Sequence, residues 1–186
     1  ECIKGQYQAQ NTFATAKCLT CAAGFAFDTK TTVCKECVSG LYQAQTDTAD
    51  VKCLNCGVGQ YSKAKDQSCQ SCEKGTFQEL TTAIEYSCKF CNKGTSFNAK
   101  EVACDVCTTG LYQAEDNEPS VSCKFCEKGK AFHNTTSNCD DCSLGKFQEV
   151  NDAASVTCKF CAVGTAYHNV TSKCDLCNVG KYQYEN

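Results

Sequence analysis

Residues 123–148 read CKFCEKGKAFHNTTSNCDDCSLGKFQ, and this stretch decides the fold. It holds two C-x2-C pairs, Cys123/Cys126 and Cys139/Cys142, each followed three residues later by a glycine, Gly129 and Gly145. Shifted by 35 residues in either direction, the pattern reappears without a gap. Cys18/Cys21, Cys53/Cys56, Cys88/Cys91 and Cys158/Cys161 are in register with the first pair. Cys34/Cys37, Cys69/Cys72, Cys104/Cys107 and Cys174/Cys177 are in register with the second, and Cys2 falls in register with Cys37. The grammar is C-x2-C-x12-C-x2-C-x15, a period in the range of stacked repeat architectures. It divides the chain into a partial repeat at 1–17, repeats at 18–52, 53–87, 88–122 and 123–157, and a partial repeat at 158–186.

Other residues keep the same register. Of the 12 glycines, all but Gly57 follow a cysteine at this spacing, which predicts a positive φ or a close backbone approach. In the x15 half the glycine leads into an aromatic and a glutamine: Tyr7-Gln8, Tyr42-Gln43, Phe77-Gln78, Tyr112-Gln113, Phe147-Gln148 and Tyr182-Gln183. In the x12 half the ring comes one residue later, as Phe27, Phe97, Phe132 and Tyr167, with Tyr61 at the earlier position. One ring per loop is expected to pack against a disulfide or a neighbouring loop, and the glutamine to bond loop backbone.

Composition says what such a chain cannot rely on. Leu, Ile, Val and Phe make up about 17% of the 186 residues, below the range that builds an apolar core. The 21 cysteines, about 11% of the chain, exceed the density that marks a disulfide scaffold. A formal net charge of −3 does not oppose collapse, so covalent links are expected to replace the missing core. The stretches between cysteines are short and polar, without a sustained helical period. The expected fold is a set of small disulfide-rich repeats: an elongated rod or solenoid of short β-hairpin and loop modules, with almost no helix. All 18 basic residues are lysine and they are scattered, which argues against nucleic-acid binding. No apolar run approaches a membrane span. The chain starts inside a repeat, so it reads as a mature or truncated piece of something longer.

Two pairing schemes fit the repeat. The uniform one joins the second cysteine of each pair to the first of the next. It gives Cys2–Cys18, Cys21–Cys34, Cys37–Cys53, Cys56–Cys69, Cys72–Cys88, Cys91–Cys104, Cys107–Cys123, Cys126–Cys139, Cys142–Cys158 and Cys161–Cys174, and leaves Cys177 unpaired. The rival crosses each x12 loop, as Cys18–Cys34 with Cys21–Cys37, and leaves the x15 loops open. The first is preferred because similar loops are then closed in similar ways. Loops of this size each contribute roughly 3 kcal/mol on the chain-entropy account.

The units CVSGLYQ (37–43), CEKGTFQ (72–78) and CSLGKFQ (142–148), each running on to a C-x2-C, resemble the cysteine-rich modules of tumour-necrosis-factor receptors and Eph receptors. The long regular C-x2-C array is also similar to surface antigens of ciliates and other protists. Both resemblances cover the whole chain and imply an extracellular, disulfide-stapled fold. The receptor modules are less regular in spacing, and the regularity here points toward a structural array.

Paired C-x2-C motifs also suit zinc, with five four-thiolate sites drawn from ten complete pairs. The unbroken array and two sequons, Asn134-Thr135-Thr136 and Asn169-Val170-Thr171, weigh toward disulfides and secretion. The sequons share a register, and N-linked glycans are expected on Asn134 and Asn169. His133 and His168 precede them and read as exposed loop positions copied by duplication. Asp105, Asp140 and Asp175, in C-D-x-C, read as solvated turn residues and are too few for calcium. No cofactor, resident metal or catalytic constellation is expected, and the chain is not read as an enzyme.

The functional expectation is a structural extracellular protein, a subunit of a cell-surface coat, appendage or fibre that self-associates. The alternative is a receptor or adhesin ectodomain, whose ligand patch would include Ile84, Tyr86 and the acidic stretch 115–118.

Overall fold

The computed structural model describes residues 1–10, 15–82 and 87–184. Among the described residues there is no helix, and fourteen two-residue strands pair into seven antiparallel hairpins. The chain divides into two compact units, Glu1–Lys89 with Ala99–Ala103, and Phe90–Asn98 with Cys104–Asn186.

In the first unit β1 (Phe25–Ala26) pairs with β2 (Lys35–Glu36), β3 (Leu41–Tyr42) with β4 (Leu54–Asn55), and β5 (Gln60–Tyr61) with β6 (Gln70–Ser71). In the second, β7 (Thr95–Ser96) pairs with β8 (Asp105–Val106) and β9 (Lys130–Ala131) with β10 (Asp140–Asp141). There too β11 (Lys146–Phe147) pairs with β12 (Lys159–Phe160), and β13 (Thr165–Ala166) with β14 (Asp175–Leu176). Single bridges Tyr7↔Leu19, Phe77↔Lys89 and Tyr112↔Lys124 take the place that Tyr42↔Leu54 holds in its hairpin.

Every return strand is the pair of residues inside a C-x2-C. The first cysteine closes the loop behind it, the two residues run back along the hairpin, and the second cysteine opens the next loop. Asp105, Asp140 and Asp175 therefore lie on strands and not in the turns expected from their C-D-x-C setting. A two-residue hairpin cannot hold itself together in water. Here each is clamped at its base by a disulfide, with Cα atoms 5.6 Å apart in Cys37–Cys53 and 5.8 Å apart in Cys91–Cys104.

The ten disulfides follow the sequential scheme, from Cys2–Cys18 through Cys161–Cys174, with loops alternating between separations of 16 and 13 residues. Cys177 is the free cysteine among the described residues. Sulfur occupies the positions that apolar side chains fill in larger domains. Cys21, Cys37, Cys56 and Cys72 are fully buried in the first unit, as are Cys91 and Cys126 in the second. Valine supplies most of the rest: Val51 in the first unit, Val121 and Val156 in the second. Val156 packs on the Cys126–Cys139 bond with Tyr112, Phe132 and Ala153 around it, so the rings do seat against a disulfide there.

The eleven repeat glycines all have positive φ, between 70° and 97°. Two positions show why no other residue fits. A Cβ built on Gly5 would overlap the backbone of Asp50, and one on Gly110 would overlap the amide of Ser155. Glycine is needed there for conformation and for space together.

Candidate functional site

The most elaborate geometry in each unit is the junction where one hairpin module docks on the next, and the repeated glutamine sits at its centre. Gln78 is 1% exposed. Its amide donates to the Lys100 carbonyl at 2.9 Å, and its own carbonyl accepts from the Gly59 amide at 2.7 Å. The side-chain Nε2 donates to the carbonyls of Gln60 at 3.0 Å and Gly57 at 3.3 Å, while Oε1 accepts from the Leu80 amide. One residue thereby bonds the module before it, the module after it and its own loop. Gln43 repeats this with Lys65, Gly24, Phe25 and Ala22. In the second unit, Gln113 pairs with Thr135, Gly94 and Thr95, and Gln148 with Val170 and Gly129. An amide side chain suits Gln43, Gln78 and Gln113 because it meets carbonyls on one side and a backbone N–H on the other, whereas the buried Nε2 of Gln148 has no hydrogen-bond partner among the described residues.

A second contact locks modules of the same type. The amide of Phe27 donates to the Val51 carbonyl at 2.9 Å, and the Asp50 amide to the Gly5 carbonyl at 3.3 Å. In the second unit Phe132 donates to Val156 at 2.8 Å and Ser155 to Gly110 at 3.3 Å. Each inserted segment turns sharply, with Asp50 at φ 59° and Ser155 at φ 54°. Non-glycine residues visit that region rarely, and asparagine and aspartate more readily than most.

The sequon asparagines lie in the x12 loops of the second unit and are partly buried. Asn134 Oδ1 accepts from the Thr136 amide at 2.9 Å, the Thr136 hydroxyl at 3.0 Å and the Ser137 hydroxyl at 2.8 Å. Asn169 Oδ1 accepts from the Thr171 amide and hydroxyl, both at 3.0 Å. In both, the oxygen is engaged and Nδ2 makes no hydrogen bond among the described residues. Nδ2 is the atom to which an N-linked sugar attaches.

The histidines are exposed, and each is paired with an aspartate of the following C-D-x-C. His133 Nδ1 lies 3.3 Å from Asp140 and His168 Nδ1 lies 3.7 Å from Asp175, across the mouths of β9/β10 and β13/β14. The corresponding pair at β7/β8 is Asn98 donating to Asp105 at 3.0 Å, and at β1/β2 it is Lys35 with Asp28 at 2.9 Å. The common separation of seven residues was the available signal. A polar cross-strand pair that changes chemistry from copy to copy is a hairpin device, without the fixed identity that catalysis needs.

Ile84 and Tyr86 lie outside the described residues. Asp116 of the acidic stretch accepts from the Lys93 amide at 3.2 Å and pairs with its ammonium at 3.3 Å, while Glu115 pairs with Lys124 at 3.4 Å. Cys177 is half-buried. No protein-family model matches this chain, and no curated protein compared with it does so either.

Proposed function

We propose that this chain is a structural extracellular protein, a subunit of a cell-surface coat, appendage or fibre, without a catalytic role. The observation that carries this reading is the recurrence of one junction. The backbone amide of the buried glutamine donates to the next module, its carbonyl accepts from a glycine of the module before, and the sequential disulfide recurs with it at Gln43 and Gln78 in the first unit and at Gln113 and Gln148 in the second. A ligand site breaks repeat symmetry, whereas a mechanical role repeats it. Ten disulfides suit an oxidising compartment, which supports secretion or surface display. The free Nδ2 atoms of Asn134 and Asn169 support N-linked glycans at one register of the repeat.

Self-association is part of the proposal. Return strands and the Leu19 bridge leave apolar side chains in solvent: Leu19 and Leu54 in the first unit, Phe160 and Leu176 in the second. Exposed apolar groups recurring at fixed intervals suit contacts between neighbouring copies. The receptor or adhesin reading has less support, because Glu115 and Asp116 are already engaged within the second unit. Sedimentation of the disulfide-intact chain across a wide concentration range tests the proposal. Species that grow with concentration support it, and a monomer that persists at high concentration sinks it.

A further inference from the structure

The two sequons lie on the segments that lock one x12 loop onto the x12 loop before it. The Thr135 carbonyl accepts from the amide of buried Gln113, and the Val170 carbonyl from that of buried Gln148, both at 2.9 Å. The same segments cover a glycine of the earlier loop. A Cβ built on Gly94 would lie 2.9 Å from Thr136 Cγ2, and one on Gly129 would lie 2.9 Å from Val170 Cγ2 and 3.1 Å from Thr171 Cγ2. The first unit makes this junction without a sequon. There Lys65 bonds Gln43 while Asp66 lies over Gly24, and Lys100 bonds Gln78 while Glu101 lies over Gly59. Ala64 and Ala99 stand where the second unit has Asn134 and Asn169. The docking therefore belongs to the repeat, and in the second unit the sequon is laid upon it.

We propose that Asn134 and Asn169 accept an N-linked sugar only while their junctions are undocked, so that attachment precedes docking and docking then bars it. This inference rests on the glycan reading above. In the transfer the C1–O bond of a lipid-pyrophosphate-linked oligosaccharide breaks and asparagine Nδ2 forms the new C1–N bond. Nδ2 gives up one proton to a base of the transferase, and the lipid pyrophosphate leaves with the electron pair. The acceptor is the asparagine together with the hydroxyl residue two positions on. To enclose both in the docked chain, a transferase would have to draw the Thr135 carbonyl off the Gln113 amide and lift the Thr136 methyl from Gly94. Gln113 is 2% exposed, so its amide loses its partner whenever the junction opens. A folded chain is therefore modified only through the fraction of molecules in which that junction has opened locally. A sugar attached beforehand is compatible with docking, because the bonds of the docked asparagines run through Oδ1 and leave Nδ2 unused among the described residues.

The test presents the full chain, either disulfide-intact or reduced and alkylated, to an oligosaccharyltransferase with its lipid-linked donor. Peptide mass spectrometry then reads the occupancy of each asparagine over time. The reduced chain is expected to be modified at both positions. The intact chain should be modified about 10- to 100-fold more slowly, the effect of breaking a buried hydrogen bond and the packing beside it. Two variants, compared as their disulfide-intact species, make the test specific. Gly94→Val drives a side chain into Thr136, and is expected to release Asn134 while Asn169 stays protected. Gly59→Val strains the equivalent junction against Glu101, and is expected to release neither. Equal rates in the intact and reduced chains overturn the proposal, and that comparison needs no variant. Gly94→Val releasing neither asparagine, or both alike, also overturns it, as does Gly59→Val releasing Asn134. A reduced chain that takes no sugar overturns the glycan reading itself, and this inference with it.

Discussion

The Gly110 carbonyl accepts a hydrogen bond from the Ser155 amide at 3.3 Å, and a Cβ on Gly110 would lie 2.6 Å from the Ala154 Cβ. Two residues far apart in sequence are thus in backbone contact, and the contact leaves no room for a methyl group. Gly145 has nearly the same conformation, φ 86° against 97°, and among the described residues nothing lies within 4 Å of a Cβ placed on it. The pair separates conformational strain from steric exclusion. Gly145→Ala should cost about 1–2 kcal/mol, the penalty of a left-handed L-residue. Gly110→Ala should cost about 2–5 kcal/mol, because overpacking adds to that strain. Denaturant unfolding of both variants under non-reducing conditions gives the comparison. Equal losses would show that the Gly110 contact contributes nothing.

The glutamine staple makes a prediction with a sign. Gln78→Leu leaves the part-buried bonding groups of Gln60, Gly57 and Leu80 without their side-chain partner, and should destabilise by about 1–3 kcal/mol. Gln78→Glu is closer in shape but aims a carboxylate at the Gln60 and Gly57 carbonyls. Burial and those dipoles favour the protonated form, so the folded-state pKa lies above the unfolded value. The folded state then binds more protons, and stability is fully present below the ordinary glutamate range and lost as pH rises through the shifted value. The measurement is Gln78→Glu stability against pH beside the unmodified chain. A variant no less stable at neutral than at mildly acidic pH would contradict the staple.

Reduction should add about 20 mass units to the intact chain, two for each of ten bonds, and should unfold it. Removing one link as a pair, with Cys126→Ser and Cys139→Ser together, should cost about 3 kcal/mol. Mass spectrometry before and after reduction, with zinc assayed on the same sample, reads the first outcome. An unchanged mass accompanied by bound zinc would replace the disulfide scaffold with a metal one.

Expression in a secretory pathway that glycosylates should load Asn134 and Asn169. Thr136→Ala and Thr171→Ala should each remove one glycan's mass, and Asn134→Gln should match Thr136→Ala. An electrophoretic mobility unchanged by endoglycosidase would show that the partial burial of these asparagines keeps the enzyme away.

The cross-strand pair His133–Asp140 should matter little. Its side chains are 60% and 68% exposed, so Asp140→Ala should change stability by less than about 1 kcal/mol. A larger loss would mean that the pair carries a role beyond the hairpin.

What the sequence determined by itself is everything that closes locally. Of the two pairing schemes the repeat allows, the one that closes every loop alike, joining cysteines 13 or 16 residues apart, is the one found, and a gapless period repeats it ten times. The positive φ of the glycines, the scarcity of regular structure and the seating of rings on disulfides were legible for the same reason. Each depends on a few neighbouring residues. Conversion of the C-x2-C residues into return strands was not legible, since nothing in Lys159–Phe160 or Asp175–Leu176 marks a strand. Nor was the partner of each glutamine, or the meeting of His133 with Asp140 and of Val156 with Phe132. These are decided by how far each clamped hairpin turns the chain before the next begins. That angle is set by the disulfide, the left-handed glycine and the docked segment acting together, so only the tertiary structure shows which backbone groups come face to face.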